Sequence, residues 1–115
     1  MRNVVENILC STGRVSLDFS GDGLHDALCF GFSYMESEDH MVNYIAANGR
    51  VMKNILLLPE AVLNPDQESI GELWTAKLLV SNKLNDRRIL LSNDEFSTII
   101  NLNLNPNKET EHADL

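Results

Sequence analysis

In Ala27-Leu28-Cys29-Phe30-Gly31-Phe32-Ser33-Tyr34-Met35 every second residue is large and apolar or aromatic. Leu28, Phe30, Phe32 and Tyr34 share one face of an extended chain, and Cys29, Gly31 and Ser33 share the other. This period of two predicts a strand. Another precedes it, because Val15, Leu17 and Phe19 alternate with Ser16, Asp18 and Ser20. Gly21-Asp22-Gly23 turns the chain between them.

Further on, Met41 to Ala47 leads into Asn48-Gly49, and Arg50 to Leu57 follows. Asn-Gly between apolar segments suits a type I′ turn, which needs positive φ at both central positions, so two antiparallel strands are expected there. The rival reading is a helix over 39–47 closed by Asn48 or Gly49 in the left-handed conformation. Leu58-Pro59 ends the segment. Asn64 at N-cap, Pro65 at N1 and the acids Asp66 and Glu68 then open a helix. It carries Ile70, Leu73, Trp74, Lys77 and Leu78 at helical spacing, with Trp74, the sole tryptophan, expected to anchor it.

Arg88 to Leu91 reads as a short strand. Ser92-Asn93-Asp94-Glu95 has the form of a capping box, with Leu91 and Phe96 as its hydrophobic staple, so a last helix is expected to about Leu102. At the other end, Val4, Val5, Ile8 and Leu9 predict a short amphipathic helix over Asn3–Cys10. Together these elements predict an α+β domain: a mainly antiparallel sheet of about four to five strands with helices packed on one face. Residues 1–104 form the single domain, and 105–115 read as a mobile acidic tail.

Charge is the strongest functional signal. Between Val15 and Gly49 there is no lysine or arginine, but there are six acids, Asp18, Asp22, Asp26, Glu36, Glu38 and Asp39. They account for −6 of a net charge of −8 in 115 residues. Such a field attracts basic partners and repels nucleic acid and anionic membranes. No run approaches the ~20 apolar residues of a membrane span. With no signal-peptide pattern, a cytoplasmic protein is expected, and Cys10 and Cys29 are expected reduced and buried.

Motifs for chemistry are lacking. Asp18 to Gly23 has the first half of a calcium loop, but Cys29 stands where the closing glutamate belongs. His25-Asp26 and Asp39-His40 pair histidine with acid, yet both are expected in solvated loops. His25, His40, His112 and the cysteines have no metal spacing. No P-loop, G-x-S-x-G or G-x-G-x-x-G is present. Arg87-Arg88, the only basic pair, is expected to form a local ion pair with Asp86. No enzyme, cofactor or metal is expected.

Small size, acidity, autonomy and the absence of motifs resemble, at the level of class, the immunity proteins that neutralise bacterial toxins, including those of contact-dependent growth inhibition. The resemblance implies one cognate toxin with a basic, nuclease-type surface, held in a tight 1:1 complex. It transfers no residues. The residues expected to meet that partner are the loop acids Glu36, Glu38 and Asp39, then Asp22 and Asp26, with Tyr34 and Tyr44 as candidate anchors. The alternating turns of a meander separate these acids into two clusters and favour the 36–39 loop. The alternative is a non-enzymatic assembly module, such as a phage accessory protein or complex subunit, with a small enzyme behind it. A monomer or weak homodimer is expected.

Overall fold

A computed structural model describes residues 14–21, 23–64, 69–93 and 95–104. Seven strands and two helices occur among them. In chain order they are β1 (Arg14–Gly21), α1 (Leu24–Ser37), β2 (Tyr44–Ala47), α2 (Gly49–Leu56), β3 (Ala61–Leu63), β4 (Gly71–Leu73), β5 (Ala76–Val80), β6 (Arg88–Ser92) and β7 (Ser97–Leu104). The predicted helix at 3–10, the tail at 105–115, Asp22 and the Pro65–Glu68 helix start lie outside the described residues.

The strands form one sheet in the order β1-β7-β6-β2-β5-β4-β3. β1/β7 and β2/β5 are parallel, while β2/β6, β3/β4, β4/β5 and β6/β7 are antiparallel. The domain is therefore α+β, but its sheet is larger than four to five strands and mixed rather than mainly antiparallel. The parallel pairs exist because α1 and α2 interrupt the expected meander.

The segment 27–35 is helical, which reverses the strand reading. Its buried residues, Ala27, Leu28, Gly31 and Met35, form one helical stripe. The period-two set instead scatters around the helix, leaving Phe30 exposed and Phe32 and Tyr34 half-buried. Gly31 permits close packing on the sheet. A Cβ there would lie 2.2 Å from Ile100 Cδ1 and 2.4 Å from Leu91 Cδ1. Thr98 Oγ1 on β7 donates to Met35 Sδ at 3.1 Å, tying the far end of the helix to the sheet.

Three other elements differ from expectation. Asn48 does not turn a hairpin: its Oδ1 accepts from Val51 N at 2.9 Å as the N-cap of α2. The stretch 71–80 is a hairpin, with Leu73 paired to Ala76 around Trp74-Thr75. Ser92 caps nothing, because its hydroxyl is buried without a hydrogen-bond partner among the described residues. Asn93 does the capping work, its Oδ1 accepting from Glu95 N and Phe96 N at 2.8 Å each to turn β6 into β7. The strands expected at 15–19 and 88–91 are present within β1 and β6, whereas the one expected over 41–47 is a strand only at Tyr44–Ala47.

Both helices pack on one face of the sheet. Their buried residues join Ile45, Ala47, Leu78, Ile89, Leu91 and Ile100 in a single core. The alternate residues Ala46, Leu79, Leu90 and Ile99, with Leu84, form a smaller cluster on the other face. There the β1 end is polar: Asn101 Nδ2 donates to Ser16 Oγ at 2.8 Å and Asp18 Oδ1 at 3.1 Å, and Arg88 Nε donates to Asn101 Oδ1 at 3.2 Å. Asp18 is thus held in a strand lattice. Asp86 pairs with Arg50 at 3.2 Å and accepts from Asn48 Nδ2, rather than pairing with Arg87 or Arg88.

Candidate functional site

A cleft of about 630 Å³ opens between α1, the α1–β2 connection and the β4–β5 turn. α1 supplies Cys29, Phe32, Ser33 and Glu36 at helical spacing, so one exposed stripe faces the cavity. The connection supplies Asp39, His40, Met41 and Val42, and the turn supplies Trp74 and Thr75. The lining contains two acids and no lysine or arginine.

The connection is shaped by the end of α1. His40 N donates to Met35 O at 2.8 Å and Asp39 N donates to Glu36 O at 3.0 Å, the paired bonds of a Schellman motif. Asp39 fills the left-handed position usually taken by glycine, at φ 61°. The chain then passes His40, whose ring stacks on Phe96 with centroids 4.3 Å apart. Asn93 Nδ2 donates to Met41 O at 2.9 Å. These contacts hold the connection while the Met41 side chain remains 73% exposed at the mouth of the cleft.

The opposite wall is strained as well. Trp74 and Thr75 have φ of 50° and 70°. A two-residue turn of type I′ requires both values, but is normally made from Asn and Gly. Each such residue costs about 1–2 kcal/mol relative to a right-handed conformation. Asp39, Trp74 and Thr75 are the described non-glycine residues with positive φ, and all three line this cleft. Strain of this kind clusters at functional sites. Its geometric result is a fixed indole: Trp74 meets Phe32 edge-on at 5.1 Å and His25 edge-on at 5.5 Å.

At the α1 end of the cleft, Cys29 Sγ lies 3.9 Å from His25 Nδ1, one helical turn back. His25 Nε2 lies 3.0 Å from Glu60 Oε2. An ionised carboxylate only accepts, so Nε2 is the donor in this contact; when the ring is neutral, that leaves Nδ1 facing the sulfur as an acceptor. Glu60 is placed by the turn after α2, where Ala61 N donates to Leu58 O at 3.0 Å. Its carboxyl is held below the usual carboxylate range, first by its own backbone N–H and then by the His25 hydrogen bond. Cys29 is free and exposed, contrary to its expected burial.

The acids expected to bind a partner divide as follows. Glu36 and Asp39 line the cleft. Glu38 is exposed beside them and accepts from Tyr34 Oη at 3.4 Å. Burial, and then the Glu38 charge and hydrogen bond, raise the Tyr34 phenol above its ordinary value. Asp26 is exposed in the first turn of α1. Ten residues of helix put it about 15 Å from Glu36 along the axis. The separation expected from opposite ends of a meander thus arises from opposite ends of one helix. Tyr44 packs against the smaller core cluster rather than lining the cleft.

Sequence reading missed Cys29, Phe32, Met41, Trp74 and Thr75 as lining, and the His25–Glu60 contact. His25 and Cys29 were separable from background by their i, i+4 spacing, but only on a helix. On the expected reading Cys29 lies in a strand and His25 in the loop before it, which brings no such pair together. Glu60 is 35 residues from His25 and carries no local signal. Among the described residues there is no group of three or more side chains arranged to hold a metal, and no helix long and apolar enough to cross a membrane. No protein-family model matches the chain, and no curated protein or solved structure matches it.

Proposed function

We propose that this protein binds a basic protein partner through the acid-rimmed cleft and neutralises it, as a toxin-neutralising immunity protein does. The observation that carries this reading is the pairing of Glu36 and Asp39 with a pre-set aromatic wall, Phe32 and Trp74, in a lining without lysine or arginine. Carboxylates steer and orient a lysine or arginine. The indole face and the exposed Met41 give its alkyl stem an apolar surface. Glu38, beside the rim, and Asp26, at the far end of α1, extend the field and contribute to approach more than to grip. The expected partner is a nuclease-type toxin of the same cell.

The test begins with the partner captured from the native host on the wild-type protein and then purified. Stopped-flow association should slow tenfold or more at low salt in Glu38→Lys/Asp39→Lys, and the difference should shrink as salt rises. An unchanged rate removes the rim from the interface. Expression of the partner alone should arrest growth, and co-expression of this protein should restore it. A harmless partner would favour the second reading, an assembly module. That reading has its own support in Leu57, Val62 and Leu63, which are 75%, 56% and 68% exposed around the short edge strand β3.

A further inference from the structure

The cleft contains a second chemistry that capture of a basic protein does not use. We infer that Cys29 is a nucleophile with His25 as its base and Glu60 as positioning residue, and that it exchanges with small cationic disulfides in the cleft. Four observations carry this. The Sγ–Nδ1 distance of 3.9 Å is loose but within reach, as nucleophile–base contacts are before a substrate binds. The 3.0 Å contact with Glu60 presents Nδ1 of the neutral ring to the sulfur. Trp74, edge-on at 5.5 Å, fixes the ring from the side. The cysteine is exposed on the wall of a cavity of about 630 Å³, ample for a small disulfide.

The step balances without a further reagent. The Cys29 thiol gives its proton to His25 Nδ1, and the thiolate attacks one sulfur of RS–SR. The Cys29 Sγ–S bond forms as the S–S bond of the reagent breaks, and the departing RS⁻ takes the proton back from His25. The products are Cys29–S–SR and RSH. Cys29 sulfur is oxidised, and the leaving sulfur is reduced. Disulfide exchange passes through no oxyanion, so it needs no oxyanion hole, which is why it is assigned here in preference to acyl transfer. Glu36 and Asp39 in the same lining favour a cationic reagent over an anionic one. The His25 dependence is separate from partner capture, since His25 and Glu60 do not line the cleft, whereas the charge preference shares Glu36 and Asp39 with it.

The experiment uses the full chain carrying Cys10→Ser, so that one thiol reports. The protein is reacted with cystamine, 2-hydroxyethyl disulfide and dithiodipropionate, which are cationic, neutral and anionic. Adducts are counted by intact mass. Each rate is divided by that of 2-mercaptoethanol with the same reagent, which removes leaving-group differences. The normalised cystamine rate should exceed that of the reference thiol at least tenfold, with the order cationic, neutral, anionic. His25→Gln should abolish the tenfold gain. Glu60→Gln should lose most of it and Glu60→Asp recover it, with thermal stability confirming that each variant is folded. Glu36→Gln/Asp39→Asn should flatten the charge order and leave the His25 dependence intact. Normalised rates within about twofold of the reference, or rates indifferent to His25→Gln, would overturn the inference.

Discussion

Asn48-Gly49 and Trp74-Thr75 have exchanged the roles that local chemistry assigns them. The first pair is the strongest hairpin signal in the chain, yet it starts a helix, with Asn48 as N-cap and Gly49 in an ordinary conformation where an added Cβ meets nothing within 4 Å. The second pair has no turn chemistry, yet both its residues hold positive φ in a two-residue hairpin. The difference lies in what each pair borders. Asn48 sits beside Asp86 and Arg50, where a cap is stabilised by charge. Trp74 and Thr75 border the cleft, where the strained backbone fixes an indole against Phe32 and His25. A local rule is followed where only stability is at issue and broken where a surface must be shaped.

The largest expected change comes from Trp74→Ala. It removes a half-buried indole and two edge-on ring contacts, and should destabilise by about 2 kcal/mol in urea unfolding. A loss below about 0.5 kcal/mol would mean the indole is not seated. Asn48→Ala should cost about 1 kcal/mol through loss of the cap. Thr75→Asn should do the opposite and stabilise by about 1 kcal/mol, because asparagine tolerates the left-handed conformation better than a β-branched residue. Equal signs for these two variants would break the comparison.

Smaller effects sharpen it. Gly49→Ala should stabilise by roughly 0.5 kcal/mol as a helix former in open space, whereas a type I′ turn there would make it destabilising. The smallest effect concerns Glu60. A carboxyl depressed in the fold contributes stability above its unfolded value, which is lost as pH falls through the folded value. The Tm difference between wild type and Glu60→Gln should therefore be largest near neutral pH and shrink as the solution is acidified below about pH 4. A difference that grows with acid would contradict the lowered value.

These contrasts also explain what was legible in the sequence. β1 was readable because its alternation matches its burial, with Val15, Leu17 and Phe19 half-buried and Ser16, Asp18 and Ser20 exposed; β2 and β6 are short apolar runs buried on both faces. α1 was not, because its aromatic residues fall at period two by coincidence, while the helical stripe that is buried includes Ala27 and Gly31, whose small side chains give little hydrophobic signal. β7 was hidden by Ser92 and Glu95, a capping pair in spelling only, with Asn93 supplying the turn. The acids Glu36 and Asp39 could be named from charge. The aromatic wall and the His25–Glu60 contact could not, because the long-range pairing of β5 with β2, and the return of the chain after α2, bring those residues into place.

The most direct test is an amide and indole NMR titration of the full chain with the purified partner. Shifts should centre on residues 36–42 and on the Trp74 indole N–H, with the Leu57–Leu63 edge unmoved. Shifts confined to that edge, with the Trp74 indole unchanged, would contradict capture at the cleft.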